Sequence, residues 1–388
     1  MGCRTRASKD SGVQIAIDGQ FRSLPPSGTG SYLESLLQEL PAVSGSDRIS
    51  VVDRPDSLGP GFVPSRIGRD PRLLRFAWES LGFAREAASG HPDLLHIPSF
   101  AAPIRASIPF VVTIHDVIPF VLPEYRSSAP MRAHLALMKR TTRRAALVLT
   151  PSRAAADDIH HVLGFPRHRI RVTPEAAGAQ YVPGTGELDP ALAARFGIDG
   201  PYLFNVGGLD VRKRVDLLIE AFAAARPQLP AGTKLVIGGK AHSGNPAVYP
   251  DLAPVIARTG VADAVFMTGW LSDVEKVALY QGADLYVTPS IYEGFGLTPL
   301  EAMACGTAVI AAKRTSFPEV IGDAGLLIEP DVRAWRDAIV ALMNNTARRA
   351  EMSEQGRVRA AAYTWRKTAE LTIEAYRDAY ALSRKGQG

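Results

Sequence analysis

The sequence predicts two doubly wound, Rossmann-like α/β domains, each built on a parallel sheet. Apolar strands alternate with helical segments along nearly the whole chain, and a glycine- and proline-rich stretch at 181–201, YVPGTGELDPALAARFGIDGP, divides the alternation into two series. Such alternation is typical of parallel sheets flanked by helices. The 388 residues also exceed what one hydrophobic core usually serves. We expect domains over 13–185 and 200–361, and a helix over 362–384 that packs back toward the first domain.

The first series follows a polar tail at 1–12, which we expect to be disordered. Its predicted strands are VQIAID, RISVVD, DLLHIP, PFVVTIHD, ALVLTPS and RIRVTP, and its predicted helices are SYLESLLQEL, LLRFAWESLGFAREA, residues 129–145 and a segment from Arg153. The second series has strands at YLFNVGG, TKLVIGG, AVFMTGW, LYVTPS, AVIAA and GLLIEP, with helices at RVDLLIEAFAAA, DVEKVALYQGA and PLEAMACG. Helices end the chain. Because such sheets bind ligands beyond the carboxyl ends of their strands, we expect the two domains to face each other across a ligand cleft.

The composition excludes some classes of protein. The net charge of +5 is diffuse, and no basic run is interleaved with aromatic residues, so nucleic acid is not expected as a partner. The charge suits phosphorylated small molecules or an anionic membrane face. No apolar run approaches the roughly 18 residues of a membrane span. Two cysteines and the lack of a secretory pattern favour the cytoplasm, where a peripheral position at the inner face of the membrane is compatible with the charge.

The segment YEGFGLTPLEAMACG at 292–306 contains an unusual helix start. Thr298 is predicted to be the N-cap, with Pro299 at the first helical position and Glu301 closing a capping box. This interpretation leaves EGFG unexplained, because glycine is costly unless φ is positive or a group approaches the main chain closely. An anion at the positive end of the helix would explain it, and the nearby carboxylates would then bind hydroxyl groups. A nucleotide sugar carries both phosphates and hydroxyls.

These residues resemble a known family. EGFGLTPLE, with seven residues between Glu293 and Glu301, resembles the E-x7-E signature of the retaining GT-B glycosyltransferases of family 4. VGGLDVRKRVDLLIEAFA and FPEVIGDAGLLIEP resemble that family's second domain, GTGSYLESLL and TIHDVIPF its first, and YTWRKTAELTIEAYR its closing helices. The likeness covers nearly the whole chain. It implies a GT-B fold and retaining transfer of a hexose from a nucleoside-diphosphate sugar to a saccharide or lipid-linked acceptor. We expect no cofactor besides this co-substrate.

The resemblance also implies roles for individual residues. Glu301 would hold the ribose hydroxyls of the donor nucleotide, and Glu293 would contact the transferred sugar. Lys213 falls on the family's diphosphate lysine. The amides that would meet the sugar hydroxyls and the diphosphate belong to Gly294, Phe295, Gly296, Leu297 and Thr298.

GGLDVRKR departs from the family pattern at Gly208, where an arginine is usual. Arg212, directly before Lys213, is expected to replace it. The alternative is that Arg212 and Arg214 are solvated loop charges. Fixed cations here would stabilise the negative charge that grows on a leaving diphosphate.

His115 and Asp116 end the predicted strand VVTIHD, where an open sheet presents polar groups to ligands. A hydrogen-bonded core histidine is the alternative, and the resemblance favours a donor-sugar contact. Gly28 and Gly30 open a predicted helix and resemble the family's N-terminal glycine loop, which faces the diphosphate and the acceptor. No G-x-G-x-x-G occurs, so a NAD enzyme is disfavoured.

One predicted helix is basic. It carries Arg132, Lys139, Arg140, Arg143 and Arg144, of which the first, second and fourth share a face. This face would suit anionic lipid, or it could be solvated. The eight histidines show no metal-binding spacing, so we expect no metal ion.

Two other functions compete with sugar transfer. A glycosidase would use Glu293 and Glu301 as acid and nucleophile, which needs two carboxyls about 5 Å apart for retention. The second alternative is a nucleotide-sugar-binding sensor or non-catalytic partner. The departure from the family pattern at Gly208 keeps this alternative open. TIHDVIPF and GGLDVRKR resemble mannosyl- and rhamnosyl-type enzymes of bacterial surface polysaccharide or glycolipid assembly. This resemblance favours GDP-mannose among the possible donors.

Overall fold

The computed structural model describes residues 12–22, 27–54, 71–186, 188–240 and 244–385, and of residues 71–73 the backbone alone. Most of the predicted tail lies outside these ranges. Backbone contacts divide the described chain into two compact units. Unit 1 holds the residues up to Val121, Arg126–Glu175, and the residues from Trp365 onward. Unit 2 holds Leu122–Tyr125 and Ala176–Thr364.

In the part of the chain that the structure describes, unit 1 has six parallel strands, each of which was predicted from the sequence. They are β1 Gln14–Asp18, β2 Arg48–Val52, β3 Leu94–Ile97, β4 Phe110–Thr113, β5 Leu147–Thr150 and β6 Ile170–Val172. Their order in the sheet is β2-β1-β3-β4-β5-β6, with every neighbouring pair parallel. Strands β3, β4 and β5 are buried along their whole length, as expected for a sheet covered on both faces.

Serine side chains cap three of the described helices of unit 1. They are α1 Gly28–Val43, α2 Pro71–Ala77, α3 Phe83–Ala87, α4 Ile118–Val121, α5 Ala129–Thr142 and α6 Arg153–Asp158. Ser27, Ser128 and Ser152 accept a backbone N–H in the first turn of α1, α5 and α6 respectively. π-helical segments at Trp78–Gly82 and Ile159–Leu163 continue α2 and α6.

Unit 2 repeats the plan with a different strand order. Its strands are β7 Tyr202–Val206, β8 Lys234–Gly238, β9 Val265–Gly269, β10 Leu285–Thr288, β11 Val309–Ala312 and β12 Leu326–Ile328. The order is β12-β11-β10-β7-β8-β9, again all parallel. This is the strand order of the Rossmann fold, in which the first and fourth strands of the unit are neighbours.

The helices of unit 2 are α7 Pro190–Arg195, α8 Val215–Ala225, α9 Ala253–Thr259, α10 Asp273–Gly282, α11 Leu297–Ala304, α12 Phe317–Ile321, α13 Val332–Met343 and α14 Thr346–Ala361. The sequence patterns missed α7, α9 and α12, which are all seven residues or shorter. Helix α7 lies inside the stretch predicted to connect the domains. There Asp189 caps it and Pro190 occupies its first turn.

The last helix, α15 Trp365–Lys385, belongs to unit 1. Its buried side chains, among them Ile373 and Tyr376, join a core cluster with Leu33 and Leu36 of α1 and with residues of the central strands. Within the described ranges, every helix is too short or too polar to cross a lipid bilayer.

The strand order of unit 2 locates a binding crevice. Strands β7 and β10 are neighbours, but the chain leaves β7 toward β8 and leaves β10 toward β11, on opposite sides. Ligands of open α/β sheets bind at such a switch point, beyond the carboxyl ends of the strands. The loops that follow β7 and β10 carry the predicted residues Gly208 to Lys213 and Glu293 to Gly296.

Candidate active site

Helix α11 begins two residues earlier than predicted. Its N-cap is Gly296, whose φ of 118° lies in the left-handed region, and no side chain caps its first turn. Thr298 is therefore not the N-cap and Glu301 closes no capping box, so that prediction is wrong. Glycine adopts this φ at little cost and turns the chain into the helix sooner. The helix thus starts with backbone N–H groups that no capping side chain satisfies, at the positive end of its dipole.

The carboxylate of Glu293 is held by two cations and a hydroxyl group. Glu293 Oε2 lies 2.7 Å from Arg212 Nη1, and Oε1 lies 2.5 Å from Lys213 Nζ. Ser290 Oγ donates to Oε1 at 2.7 Å. Burial alone would raise the pKa of Glu293, but the charges of Arg212 and Lys213 outweigh it and hold the pKa at about 2. Glu293 is therefore ionised at neutral pH.

Arg212 and Lys213 are not solvated loop charges, because their side chains are only 15% and 11% exposed. They lie in the 3-10 turn Val211–Lys213 that follows β7, directly before α8. A Cβ on Gly207 would lie 3.3 Å from Lys213 Nζ, so this glycine lets the ammonium group approach the backbone. Burial lowers the pKa of Lys213, and Glu293 opposes that effect only in part. Arg214 instead pairs with Asp216 at the start of α8.

The loop after β11 fixes the backbone of Glu293. Its N–H donates to Thr315 Oγ1 at 3.0 Å, and its carbonyl accepts from Ser316 Oγ at 3.0 Å. Phe295 is buried and packs edge-on against Tyr363. Three loops at the carboxyl end of the sheet of unit 2 therefore converge on one acidic residue and two basic ones.

Glu301 lies in a different environment. Its carboxylate accepts a hydrogen bond from Tyr280 Oη at 3.0 Å and lies 3.5 Å from Lys276 Nζ. Burial raises the pKa of Glu301, and Lys276 and tyrosine hydroxyls counter that rise only in part. Lys276 and Tyr280 on α10 and Tyr181, which precedes α7, thus surround Glu301, whereas the partners of Glu293 come from the strand-end loops.

In unit 1, His115 is held by a carboxylate that the sequence analysis missed. His115 Nδ1 lies 2.7 Å from Glu175 Oε1, Nε2 lies 3.3 Å from Pro98 O, and Tyr32 packs edge-on against the ring. Burial would lower the pKa of His115, but the hydrogen bond and charge of Glu175 raise it above 6.5. Glu175 comes shortly after β6, as His115 does after β4. A polar residue just beyond a predicted strand was therefore the available signal.

The other predicted residues of unit 1 have structural partners. Asp116 Oδ1 accepts from Ile118 N at the start of α4. Gly28 is the first residue of α1, and the N–H of Gly30 donates to the capping Ser27 Oγ. A Cβ on Gly30 would lie 3.2 Å from Phe21 O, whereas one on Gly28 would meet nothing within 4 Å.

The basic helix α5 turns much of its charge toward the protein. Lys139 Nζ donates to Val162 O at 2.6 Å, and Arg143 Nε donates to Leu163 O at 3.3 Å. These carbonyls end the helical segment that follows α6, where cations are favourable. Arg132 donates to Ser127 O and Arg144 to Ile104 O. The shared face of Lys139 and Arg143 is thus engaged in intramolecular hydrogen bonds.

The arrangement in unit 2 is suited to binding an anion. Two buried cations and an uncapped helix start lie at the strand ends, with Glu293 as the present counterion of the cations. An arriving diphosphate would meet both positive groups, while Glu293 and Glu301 offer acceptors for hydroxyls. Over the described ranges, no group of three or more His, Cys, Asp or Glu residues is placed to hold a metal ion.

Two parallel doubly wound units in tandem, with such a site in the second, define a GT-B protein. The profile of the family "Glycosyl transferases group 1" matches residues 193–359, and that of "Glycosyltransferase Family 4" matches residues 26–176. The chain belongs to the glycosyltransferases that these two profiles describe.

Curated relatives agree with that assignment. The O-antigen chain mannosyltransferase B of Escherichia coli is 30% identical over 287 residues, which are 73% of this chain and 74% of that protein. The serotype-specific mannosyltransferase WbdA of E. coli is 27% identical over 74% of this chain. The chain spans only 35% of the length of that larger protein.

Solved structures show the same fold at low identity. A sucrose-phosphate synthase from Thermosynechococcus elongatus matches with a TM-score of 0.72 at 20% identity, covering 95% of this chain and 99% of that one. Anabaena HepE, solved in complex with UDP and glucose, matches with a TM-score of 0.70 at 19% identity, covering 94% and 99%.

Proposed function

We propose that this glycosyltransferase moves a hexose from a nucleoside-diphosphate sugar to a saccharide or lipid-linked acceptor, with retention of the anomeric configuration and without a metal ion. The observation that carries the proposal is the cluster of Glu293, Arg212 and Lys213 at the switch point of unit 2. It joins cations for a diphosphate to a carboxylate for the sugar, and HepE gives a precedent for a related fold that binds UDP and glucose.

In the proposed reaction, Arg212, Lys213 and the start of α11 bind the diphosphate. As the bond between the sugar C1 and the β-phosphate oxygen breaks, negative charge grows on that phosphate. Fixed cations and helix N–H groups stabilise it more in the transition state than in the ground state. The acceptor hydroxyl attacks C1 from the same face, and its proton passes to the leaving phosphate oxygen. Side-chain cations would thereby do the work that a metal ion does in other transferases.

Glu301 and Glu293 would bind hydroxyl groups at opposite ends of the donor. Glu301, buried beside Tyr280 and Lys276, would accept from the ribose, and Glu293 from the transferred sugar. The two carboxylates have different partners and flank a helix start, which favours a nucleotide between them over the paired carboxyls of a glycosidase.

In unit 1, His115 would contact the donor sugar. Glu175 holds its ring at Nδ1 and the carbonyl of Pro98 holds it at Nε2, so the imidazole has a defined direction. We assign it binding rather than general-base catalysis, because the leaving phosphate takes the proton in the reaction proposed above. Asp116, Gly28 and Gly30 would support this region, with Gly208 giving room beside the diphosphate site in unit 2.

The donor we favour is GDP-mannose, because two of the E. coli relatives are mannosyltransferases. Their names connect them to O-antigen and serotype, so the acceptor would belong to polysaccharide or glycolipid assembly. We propose that the enzyme works in the cytoplasm, in peripheral contact with the inner face of the membrane.

A thermal-shift screen against GDP, UDP, ADP and dTDP tests the proposal. A nucleotide at 100 times its dissociation constant stabilises the fold by about 2.7 kcal/mol. The nucleotide that binds identifies the base, and NMR of the product then gives the anomeric configuration. Activity that survives EDTA would support metal independence. Slow hydrolysis of the donor to free nucleoside diphosphate would support an enzyme over a sensor, and sugar release without any nucleotide would contradict the proposal.

A further inference from the structure

Arg212 is held on a second side by a carboxylate that the resemblance does not assign. Asp210 Oδ1 lies 3.1 Å from Arg212 Nε, whereas Glu293 contacts a different nitrogen of the guanidinium, Nη1. Arg212 Nη1 also donates to Tyr292 O at 2.9 Å. Two nitrogens of one planar group are thus tied to three acceptors. Such a group cannot turn about its own axis without breaking a hydrogen bond.

Asp210 is in turn held by a tyrosine. Tyr125 Oη donates to Asp210 Oδ1 at 2.6 Å. Tyr125 lies in the 3-10 helix Pro123–Arg126, and the four residues Leu122–Tyr125 belong to unit 2, although the residues that precede and follow them in the sequence belong to unit 1. Asp210 and Arg212 are largely buried, at 10% and 15% side-chain exposure, so this chain of contacts is poorly screened by water.

Gly208 explains why the arrangement is possible here. A Cβ on Gly208 would lie 2.9 Å from Asp210 Oδ2, closer than such atoms normally approach. Asp210 occupies the space beside position 208, where the family usually has arginine, and a side chain there would require Asp210 to move. The glycine at 208 and the contact of Asp210 with Arg212 are thus compatible features of one loop.

We propose that Asp210 and Tyr125 are positioning residues, which hold the guanidinium of Arg212 in the orientation that meets the diphosphate. This rests on the proposed function. Asp210 fixes Nε, and the hydroxyl group of Tyr125 fixes Asp210. Preorganisation of this kind places a donor before the charge develops, so no reorganisation is needed during the reaction. We therefore expect Asp210 and Tyr125 to affect kcat rather than donor affinity. The negative charge of Asp210 offsets the attraction of Arg212 for the diphosphate of the bound donor, so its benefit appears only in the transition state.

A double-mutant cycle tests this relay. Tyr125→Phe removes only the hydroxyl group, and we expect kcat for transfer, or for donor hydrolysis, to fall about 3- to 10-fold while KM changes little. In an Arg212→Ala background the same substitution should have no further effect, because the group it positions is gone. An equal loss in both backgrounds would overturn the proposal, since a role in the local fold alone does not depend on Arg212.

The matched control is Tyr202→Phe. It removes a tyrosine hydroxyl that donates to Leu279 O at 2.8 Å at the amino end of β7, the opposite end of the strand from the site. We expect it to lower stability and to leave kcat unchanged. If Tyr202→Phe lowers kcat as much as Tyr125→Phe, the loss reflects stability and the relay is rejected.

A second readout separates this inference from the proposed function. The Nε–H of Arg212, identified by its disappearance in Arg212→Lys, should give a slowly exchanging NMR signal that Asp210→Ala abolishes and Tyr125→Phe shifts. If both variants leave this signal unchanged, the relay is wrong even in an active enzyme. If the signal responds but none of GDP, UDP, ADP and dTDP binds, the contacts exist and the proposed function is what fails.

Discussion

Glu293 and Glu301 belong to one short motif, yet the structure places them in opposite electrostatic surroundings. Both are buried, and burial raises the pKa of both. At Glu293 two cations at 2.5 and 2.7 Å reverse the effect and lower the pKa to about 2. At Glu301 the one ammonium group is 3.5 Å away and the pKa stays raised.

The difference shows that a repeated residue type does not imply a repeated task. Glu293 is ionised, and its negative charge is balanced by Arg212 and Lys213, the same cations that would bind a diphosphate. Glu301 is a carboxylate among hydroxyl groups, a setting suited to further hydroxyls. Binding of the donor would therefore change the partners of Glu293 more than those of Glu301.

The largest effect is expected from Glu293→Gln. Transfer should fall about a hundredfold or more, because a contact to the reacting sugar is lost. Affinity for the nucleoside diphosphate should rise about tenfold, since Arg212 and Lys213 are released from their counterion and a negative charge near the ligand is removed. Isothermal titration with the diphosphate found in the screen measures the second quantity.

The control for Glu293→Gln is Glu351→Gln. This removes the same charge from an exposed pair with Arg348 on α14, where the side chain is 55% exposed. Neither activity nor affinity should change. Weaker nucleotide binding by Glu293→Gln would contradict the view that its carboxylate competes with the diphosphate.

Glu301→Ala should act in the opposite sense on binding. We expect nucleotide affinity to fall about 10- to 100-fold, because acceptors for ribose hydroxyls are lost, while kcat at saturating donor falls less. Glu301→Gln keeps one acceptor oxygen and should be intermediate. If Glu301→Ala binds the diphosphate as well as the unaltered protein does, Glu301 is a purely structural residue.

The two carboxylates should change the free energy of unfolding in opposite directions as the pH rises. Glu293 has a lowered pKa, so its contribution to the free energy of unfolding is present above pH 4.5 and is lost as the pH falls toward about 2. Glu301 has a raised pKa, so its contribution is most favourable below pH 4.5 and declines as the pH rises through its folded value. Urea unfolding of the protein and of each Gln variant gives the two differences.

These two differences should have slopes of opposite direction against pH. Parallel slopes would mean that the ion pairs of Glu293 do not survive in solution. The Lys276→Met variant sharpens the test. Loss of the ammonium group beside Glu301 should raise the pKa of Glu301 further and leave the pKa of Glu293 unchanged.

Much of the fold could be predicted because its signals are local. All twelve strands in the described ranges contain apolar runs such as VQIAID and LYVTPS, and the long helices show apolar faces. Short helices such as α7 and α9 were missed because seven residues or fewer hold too little periodicity. The start of α11 was misplaced because the φ of Gly296 depends on what packs around it, with Phe317 3.0 Å from where a Cβ would be.

The partners of the site residues could not be predicted in the same way. Glu293 lies 80 positions from its partner Lys213 in the sequence, and Tyr125 meets Asp210 across 85 positions. Only the resemblance to a family suggested that the loops after β7 and β10 meet, and it assigned no role to Asp210 or Glu175. Side chains that come together through strand order leave no local pattern in the sequence.

The smallest expected effect concerns a third carboxylate, Glu175, whose partner is the titratable histidine His115. His115 should titrate above pH 6.5 in the protein and below it in Glu175→Gln, where burial acts without the opposing charge. Because the folded pKa is raised, the pair stabilises the fold fully below pH 6.5 and loses that contribution as the pH rises through the folded value. NMR of the imidazole groups, assigned with His115→Gln, follows this change.

His96 supplies an internal control, since burial lowers its pKa to about 3 and it should stay neutral from pH 5 to 9 in both proteins. A pKa of His115 that does not move in Glu175→Gln would show that the 2.7 Å contact is not an ion pair in solution.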